Sequence, residues 1–230
     1  MSVFTYVQSA QAVTTAVTAF STANVAGNLI VVVDAGFNVT LPTSVGDSQG
    51  NTYHQLVYAD LSDASNNHIS VWYATGIAAG TNTATLTGAS TPSSQGMIVA
   101  EYTVPAAYLL GSVATPQQLN RTTSVISVPT LAVGSPTFPA EVMLIPIFSD
   151  LYGFHTWTLS TGTVRQSVSI PGGATLFLGD CDYTAPTGVA VTTASGSSGG
   201  WCGASMYLMT LSSAGGGGVI LGDMAGGMRG

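Results

Sequence analysis

The chain has 230 residues, of which 46% are apolar, and its formal net charge is -7 at pH 7. Only 6% of the residues are charged, whereas an average soluble domain has about a quarter. The basic residues are three arginines, too few for the basic clusters that nucleic acids or anionic membrane surfaces require. Such a composition indicates a chain that packs against other protein surfaces with little repulsion between copies.

Runs of Val, Thr, Ile and Tyr alternate with small or polar residues along the whole chain, which predicts β-strands throughout. Glycine, proline, asparagine and aspartate separate these runs and predict turns. A short helix is predicted only at Pro105–Leu109. The first series of predicted strands is Phe4–Ser9, Thr14–Phe20, Leu29–Gly36, Tyr53–Tyr58, Ile69–Ala74, Thr83–Thr87 and Met97–Val104. The second series is Thr123–Val128, Val142–Phe148, Trp157–Leu159, Thr163–Ile170, Thr175–Tyr183, Val189–Ala194 and Ser205–Leu211.

The two series resemble each other. The segments that match in character are Ala26–Val33 with Pro139–Pro146, Ile69–Tyr73 with Thr175–Gly179, and Met97–Val104 with Ser205–Leu211. The nearly unbroken apolar run in the first of these predicts a central strand covered on both faces, or a strand that lies between a sheet and a partner. We therefore expect an all-β fold, an antiparallel jelly-roll-like β-sandwich arising from an internal duplication. The two halves are predicted to close as one sandwich domain over residues 1–212, in preference to two tandem domains.

Residues 213–230 form a Gly-rich C-terminal arm. Four consecutive glycines make a flexible joint, and an apolar cluster follows them. This segment is either a frayed tail or an assembly arm that docks on a neighbouring subunit, since consecutive large apolar residues are unusual in a pure linker. The residues of the arm are Val219, Ile220, Leu221, Met224 and Met228.

No stretch approaches 18 uninterrupted apolar residues, so no membrane-spanning helix is predicted. The segment Met1–Gln8 lacks the basic and apolar regions of a secretory signal. Either a signal has been removed, or the protein leaves its cell without one, as virion proteins released by lysis do.

Two cysteines, Cys181 and Cys202, could form one disulfide or lie separately as small buried residues. Their number excludes a cysteine-only zinc site.

Residues that could bind metal are scattered. His54, His68 and His155 lie in different segments without ligand spacing. Two groups of oxygen-bearing side chains are candidates for calcium, although solvated carboxylates are the preferred interpretation, and no cofactor or metal is predicted. These groups are Asp60, Asp63, Asn66 and Asn67 in a loop, and Asp180 with Asp182 on one face of a strand.

Catalytic patterns are weak. Glu101 with an aspartate could be imagined as a glycosidase pair, but it lies in an apolar strand. Its expected partner is a hydroxyl, an arginine or a subunit boundary. The run Ser197-Ser198-Gly199-Gly200 is interpreted as a loop and not as a nucleophile elbow, and the chain contains no phosphate-binding glycine pattern. We therefore expect a protein that is not an enzyme.

Several segments together resemble a recurrent β-sandwich module of secreted bacterial surface proteins and phage virion proteins. That module typically has a "GNLLVV" strand, a "DSAGNTY" turn, a "WYA" strand, an "AAGxNTVT" hairpin and a closing strand ending in Glu-Tyr. The matching segments are Val7–Ala10, Ala26–Leu29, Asp47–Tyr53, Val71–Ala74, Ala78–Thr83 and Glu101–Tyr102. The resemblance covers Val7 to Tyr102 well and the second half only loosely. It implies a jelly-roll-like fold and a role in display, adhesion or sugar binding, without catalytic residues.

The turn of this module has a physical explanation. Asp47 can accept hydrogen bonds from amides two residues on, Gly50 can adopt a positive φ, and Asn51 tolerates the left-handed region. In the next strand Trp72 and Tyr73 are expected to point to opposite faces.

The sequence thus predicts a bacteriophage virion structural protein: a capsid decoration, tail or fibre component. It would act as a homo-oligomer, with copies of itself and other virion proteins as partners. The alternative is a carbohydrate-binding or adhesive module of a secreted or cell-surface protein. That module would present Tyr73, Trp157 or Trp201 as stacking platforms for a glycan.

Overall fold

The structure of the chain is a computed structural model. The structure describes residues 5–36, 40–60, 68–89, 94–104, 108–111, 117–119, 125–128, 140–149, 157–159, 162–182, 189–193, 201–203 and 206–210. Side chains are described for residues 5–36, 40–55, 68–89, 94–104 and 162–180. These parts of the chain form antiparallel sheets without a helix, so the predicted all-β sandwich class is confirmed.

The strands fall into two successive series. Those of the first half are β1 (Thr5–Val13), β2 (Val17–Ala19), β3 (Leu29–Gly36), β4 (Ser44–Asp47), β5 (His54–Asp60), β6 (His68–Thr75), β7 (Thr83–Thr87) and β8 (Gln95–Thr103). Those of the second half are β9 (Tyr108–Gly111), β10 (Gln117–Leu119), β11 (Val125–Val128), β12 (Ala140–Ser149), β13 (Trp157–Leu159), β14 (Thr163–Ile170), β15 (Ala174–Asp182), β16 (Val189–Thr193), β17 (Trp201–Gly203) and β18 (Met206–Thr210).

The first half builds two sheets that pack on each other. The large sheet has the order β1-β8-β3-β6-β5, and the small sheet has the order β2-β7-β4. The alternating residues of these strands meet between the sheets, where period-two patterning puts one side of each strand into the core. The core between them contains Phe20, Ile30, Val32, Val45, Trp72, Ala74, Ile77, Ala84, Leu86, Met97 and Val99.

The second half repeats this pairing. Strands β17 and β18 pair with β12 in one continuous register, because Ile147 opposes Gly203 and Leu144 opposes Met206. Taken together they correspond to β8, and β9 with β10 correspond to β1. The large sheet of the second half then has the order (β9, β10)-(β17, β18)-β12-β15-β14, and the small one the order β11-β16-β13. Each pairing of the first half thus has its counterpart in the second.

The strand register identifies equivalent residues. Leu29 pairs with Thr75 and Tyr102, and its counterpart Val142 pairs with Asp182 and Leu208. Counting back along the strand makes Leu176 the counterpart of Ile69. The sequence matched Ile69 to Thr175, which is one residue out of register and on the opposite face of the sheet.

A β-bulge recurs at the same place in both halves. The register of β5 against β6 shifts between Gln55 and Val57, and that of β14 against β15 shifts between Val164 and Gln166. A bulge adds one residue to a strand and bends it, so coincidence of its position supports a common origin of the halves.

The two large sheets pack against each other. Strand β3 is buried along its whole length, because the small sheet covers one face and the second half covers the other. This confirms the prediction of a central strand covered on both faces. The buried residues of this second core are Leu29, Val31, Val33, Ala35, Ile69, Val71, Ile98, Ala100 and Tyr102 from the first half, with Val168, Ile170, Ala174, Leu176 and Leu178 from the second.

Three local predictions differ from the structure. The helix predicted at Pro105–Leu109 is wrong at its end, since Tyr108 and Leu109 lie in β9 and pair with β18. Strand β4 lies in a stretch where no strand was predicted, yet it pairs with β7. Strands β10 and β17 were also missed. In each case the pairing partner lies far along the chain, where local propensity carries no information.

Within the described residues, no helix has the length and apolar character needed to cross a bilayer.

Candidate functional site

Glu101 is the centre of a buried polar cluster that joins three segments of the first half. One carboxylate oxygen accepts hydrogen bonds from Gln8 Nε2 and Asn24 Nδ2, each at 2.7 Å. The other accepts the Val25 amide at 2.8 Å and Asn28 Nδ2 at 2.7 Å. The carboxylate therefore ties strands β1 and β8 to the turn that leads into β3.

These donors determine the ionisation of Glu101. Its side chain is fully buried, and burial alone acts to raise the pKa. The hydrogen bonds from Val25, Gln8, Asn24 and Asn28 outweigh that effect and hold the pKa of Glu101 below its ordinary value. The expectation of a hydroxyl, arginine or subunit-boundary partner is wrong, because amide groups supply all of these donors.

Gln8 extends the cluster to a second loop. Its Oε1 accepts hydrogen bonds from the Thr22 hydroxyl at 2.7 Å and the Thr22 amide at 3.2 Å, while its Nε2 reaches Glu101. Gln8, Asn24 and Asn28 lie within or next to the segments that carry the module resemblance. The sequence therefore contained these donors, but it did not show that they share one acceptor. Their common partner lies 73 to 93 residues away.

Asp47 organises the predicted turn. Its Oδ1 accepts the amides of Gln49 at 3.1 Å and Asn51 at 3.0 Å. Its Oδ2 accepts Asn51 Nδ2, the Tyr53 hydroxyl and Asn82 Nδ2, each at 2.8 Å. Burial acts to raise the pKa of Asp47, but the donors outweigh it and lower the pKa below its usual range. Burial and the neighbouring carboxylate raise the pKa of Tyr53.

The roles predicted for the other turn residues hold in part. Gly50 has a φ of 72°, as predicted. Asn51 is not among the described non-glycine residues with positive φ, so the turn does not use the left-handed region that this residue tolerates. It acts through its side chain instead, which donates to Asp47 and accepts the amide of Ala78 at 2.9 Å.

We expect Gly50→Val to lower the free energy of unfolding by about 1–2 kcal/mol, because a β-branched residue is strained at positive φ. A Cβ added at Gly50 meets nothing within 4 Å, so the effect isolates the backbone. Gly46→Val is the matched control, since it adds the same side chain at a position where a Cβ is equally free and φ is not positive. Urea unfolding measures both, and an equal loss in the two variants would contradict the assignment.

A second buried polar cluster lies at the far end of the large sheet. Asp34 is fully buried and contacts His68 Nε2 at 3.0 Å and Gln95 Nε2 at 2.7 Å. Burial raises the pKa of Asp34, partly offset by hydrogen bonds from His68, Gln95 and Ser70. Trp72 Nε1 donates to the hydroxyl of Ser70 at 3.0 Å, which extends the cluster into the core. The Gln95 Oε1 atom is buried without a partner.

A third cluster joins the two halves. The Tyr102 hydroxyl donates to Asp180 Oδ2 at 2.9 Å, and Arg165 Nε donates to the same oxygen at 2.7 Å. The Arg165 guanidinium lies 4.3 Å from the centre of the Tyr6 ring, and the Ser9 hydroxyl donates to the Arg165 carbonyl. Burial and the Asp180 carboxylate raise the pKa of Tyr102. Asp180 is thus committed to internal partners, unlike a free calcium ligand.

The formally charged side chains that the structure describes are all bonded inside the fold. They are Asp34, Asp47, Glu101, Arg165 and Asp180, with the partners given above. Within the same residues, no group of three His, Cys, Asp or Glu side chains could hold a metal ion. Asp34, Glu101 and Asp180 are buried, whereas Asp47 and Arg165 are partly exposed, so charge on the described surface is sparse and internally paired.

The structure describes the side chains of some of the remaining predicted residues and not those of others. Trp72 packs in the core between the sheets, whereas the half-buried Tyr73 points to the other face and lies 5.5 Å from the His54 ring, as predicted for alternate residues. The others lie outside the described residues or in strands whose side chains are not described. They are Asp60, Asp63, Asn66, Asn67, His155, Trp157, Asp182, Trp201, Val219, Ile220, Leu221, Met224 and Met228.

The backbone register places the cysteines on different strands. Cys181 opposes Met143 on one side of β12, and Cys202 opposes Phe148 on its other side. These positions are five residues apart along β12 with that strand between them, whereas a disulfide needs Cα atoms within about 7 Å. The register favours two separate cysteines. We expect thiol titration in denaturant to find two free thiols per chain without reductant, and a bridged protein would show none.

Comparison of the chain with protein-family models, with curated proteins and with solved structures found no match. The fold and its clusters define the class: an all-β antiparallel sandwich with two equivalent halves, whose described charged groups are structural.

Proposed function

We propose that this chain is a non-enzymatic structural protein of a bacteriophage virion, a decoration, tail or fibre component that works by homo-oligomeric assembly. One observation carries the proposal: each formally charged side chain among the described residues is bonded inside the fold. The part of the surface that the structure describes therefore offers few free charged groups for acid–base chemistry and little local repulsion between copies.

The topology supports the same proposal. In the large sheet the first strand lies beside the last, in the order β1-β8-β3-β6-β5, and the small sheet has the order β2-β7-β4, which supports a jelly-roll-like sandwich as part of the proposal. The outward face of the small sheet is made of small neutral side chains. They are Val17 and Ala19 on β2, Ser44 and Gly46 on β4, and Thr83, Thr85 and Thr87 on β7. Such an uncharged face is suited to contact with another protein surface.

Assembly is the mechanism in this proposal. Copies of the chain and other virion proteins are the partners, and the arm with Val219, Ile220, Leu221, Met224 and Met228 docks on a neighbouring copy. The location is the virion.

Light scattering during size-exclusion chromatography tests the proposal. A stable multimer is expected for the full chain, and a monodisperse monomer at high concentration would contradict it. Truncation after Ser212 tests the arm separately, and equal assembly without it would show that the arm does not dock.

A carbohydrate-binding or adhesive module is the second candidate. The observation that favours it is the ring pair of His54, which is exposed, and Tyr73, which is half-buried. Aromatic rings on a surface can stack on sugars. A monomer that binds a glycan array and loses binding on Tyr73→Ala would favour this candidate over virion assembly.

A further inference from the structure

The contact between the large sheets is reciprocal. Strands β1 and β8 of the first half contact β14, and the equivalent strands β10 and β17 of the second half contact β5. Strand β8 also contacts β15, and its counterpart β17 contacts β6. Strand β3 contacts β15, and its counterpart β12 contacts β6. Equivalent strands thus exchange equivalent contacts, which is the property of a two-fold, self-complementary interface.

The first half has a core and polar clusters of its own. The core between its two sheets and the clusters around Glu101, Asp47 and Asp34 use only residues of that half. Its other large-sheet face is apolar and fully buried, with Leu29, Val31 and Val33 at 0% exposure. Such a face requires a cover, and any copy of the second half presents the matching surface.

Based on the proposed assembly function, we propose that copies of this chain associate by exchanging halves. The large-sheet face of one copy's first half is then a docking surface for the second half of another copy. The interface is the one within the single chain, so exchange creates no new contact and loses none. The second half of the same chain competes for this face at a high effective concentration, because it is covalently linked. In an assembly, second halves of neighbouring copies are also present at a high local concentration, so they can compete for the same face.

The polar cluster between the halves determines which half is accepted. The counterpart of Tyr102 in the second half is Leu208, and the counterpart of Asp180 in the first half is Tyr73. The hydrogen bond from Tyr102 to Asp180 therefore forms only when a first half meets a second half. Two second halves would place a leucine position where Tyr102 lies, so the buried Asp180 would keep Arg165 but lose its hydroxyl donor.

A disulfide between the halves distinguishes exchange from other modes of assembly. A Cβ built on Gly96 lies 2.8 Å from Ile170 Cγ1. In the double variant Gly96→Cys and Ile170→Cys, the two sulfur atoms are therefore close enough to form a disulfide between the halves. The variant also carries Cys181→Ser and Cys202→Ser, and each single cysteine variant is its control. The isolated oligomer is oxidised and then denatured without reductant.

Covalent species of two or more chains are expected. Single chains with an internal disulfide, recovered from an intact oligomer, would overturn the exchange while leaving assembly itself in place. If the cysteine variant forms no oligomer although the unmodified chain does, cleavage between the halves tests the exchange instead. If the unmodified chain is a monomer, the proposed function fails and the exchange fails with it.

Cleavage between the halves is the second, cysteine-free measurement. A protease site is inserted between Ala106 and Ala107, in the connection from β8 to β9, and the assembled full chain is cut. A second protease site after Ser212 removes the docked arm first, because the arm also links copies in the proposed assembly. An exchanged oligomer is expected to survive removal of the arm and then to fall to units of one armless chain when the connections are cut. An oligomer that dissociates on removal of the arm alone, or that keeps its mass after both cuts, would overturn the exchange.

Discussion

Glu101→Ala is expected to lower the free energy of unfolding by about 3–5 kcal/mol, since it leaves several buried donors without an acceptor. The donors are the side chains of Gln8, Asn24 and Asn28 and the amide of Val25. Chemical denaturation measures the loss. A loss below about 1 kcal/mol would mean that the cluster relaxes or takes up water, and the structural role assigned to Glu101 would be wrong.

Two glutamines on β1 provide a matched control for this experiment. Gln8 is buried and donates to Glu101, whereas Gln11 is exposed on the same strand. Gln8→Ala is expected to cost about 1–3 kcal/mol and Gln11→Ala close to nothing.

The pH dependence follows from the same contacts. Since the pKa of Glu101 is lowered in the folded state, its contribution is complete above the ordinary glutamate pKa and is lost as the pH falls through the folded value. Asp47 adds a loss of the same sign. The unmodified chain should therefore lose stability below about pH 4, and Glu101→Gln should flatten that loss.

Asp180→Ala is expected to lower the free energy of unfolding by about 2–4 kcal/mol, because it removes the shared acceptor of Tyr102 and Arg165 at the contact between the halves. Asp180 is buried, so water does not replace the lost partner. The loss is measured by denaturation.

A double-mutant cycle isolates the part of this effect that crosses between the halves. Tyr102→Phe and Asp180→Asn are combined, and a coupling energy of about 1 kcal/mol is expected. A coupling of zero would show that the hydroxyl and the carboxylate do not stabilise each other.

Strand positions were predictable where a run of β-forming residues was bounded at both ends by turn residues. The bounds of β3, β7, β13 and β14 match the predicted runs, because each is an uninterrupted β-rich stretch between turn residues. Strand β4 could not be found this way, since its four residues include a glycine and end in the turn at Asp47. Only pairing with β7 makes it a strand.

The duplication was visible in the sequence, but its register was not. Matching apolar runs identified β3 with β12 and β6 with β15, whereas the match of Ile69 to Thr175 missed by one residue. Hydrophobic resemblance tolerates such a slip, and hydrogen-bond pairing does not.

The candidate site was predictable only at the turn. The groups that donate hydrogen bonds to Asp47 include the backbone amides two and four residues further along the chain. The local sequence is therefore enough to predict them. The partners of Glu101 are 73 to 93 residues away, and the contact of Tyr102 with Asp180 spans 78.

By itself the sequence determined the β class, the turn at Asp47 and Gly50, the central position of β3 and the scarcity of charge, because each depends on composition or on neighbours within a few residues. The tertiary structure alone decided which strands pair, which donors surround Glu101 and how the halves face each other. Side-chain alternation specifies the face of a strand on which a residue lies, and only the folded chain supplies the group that meets it there.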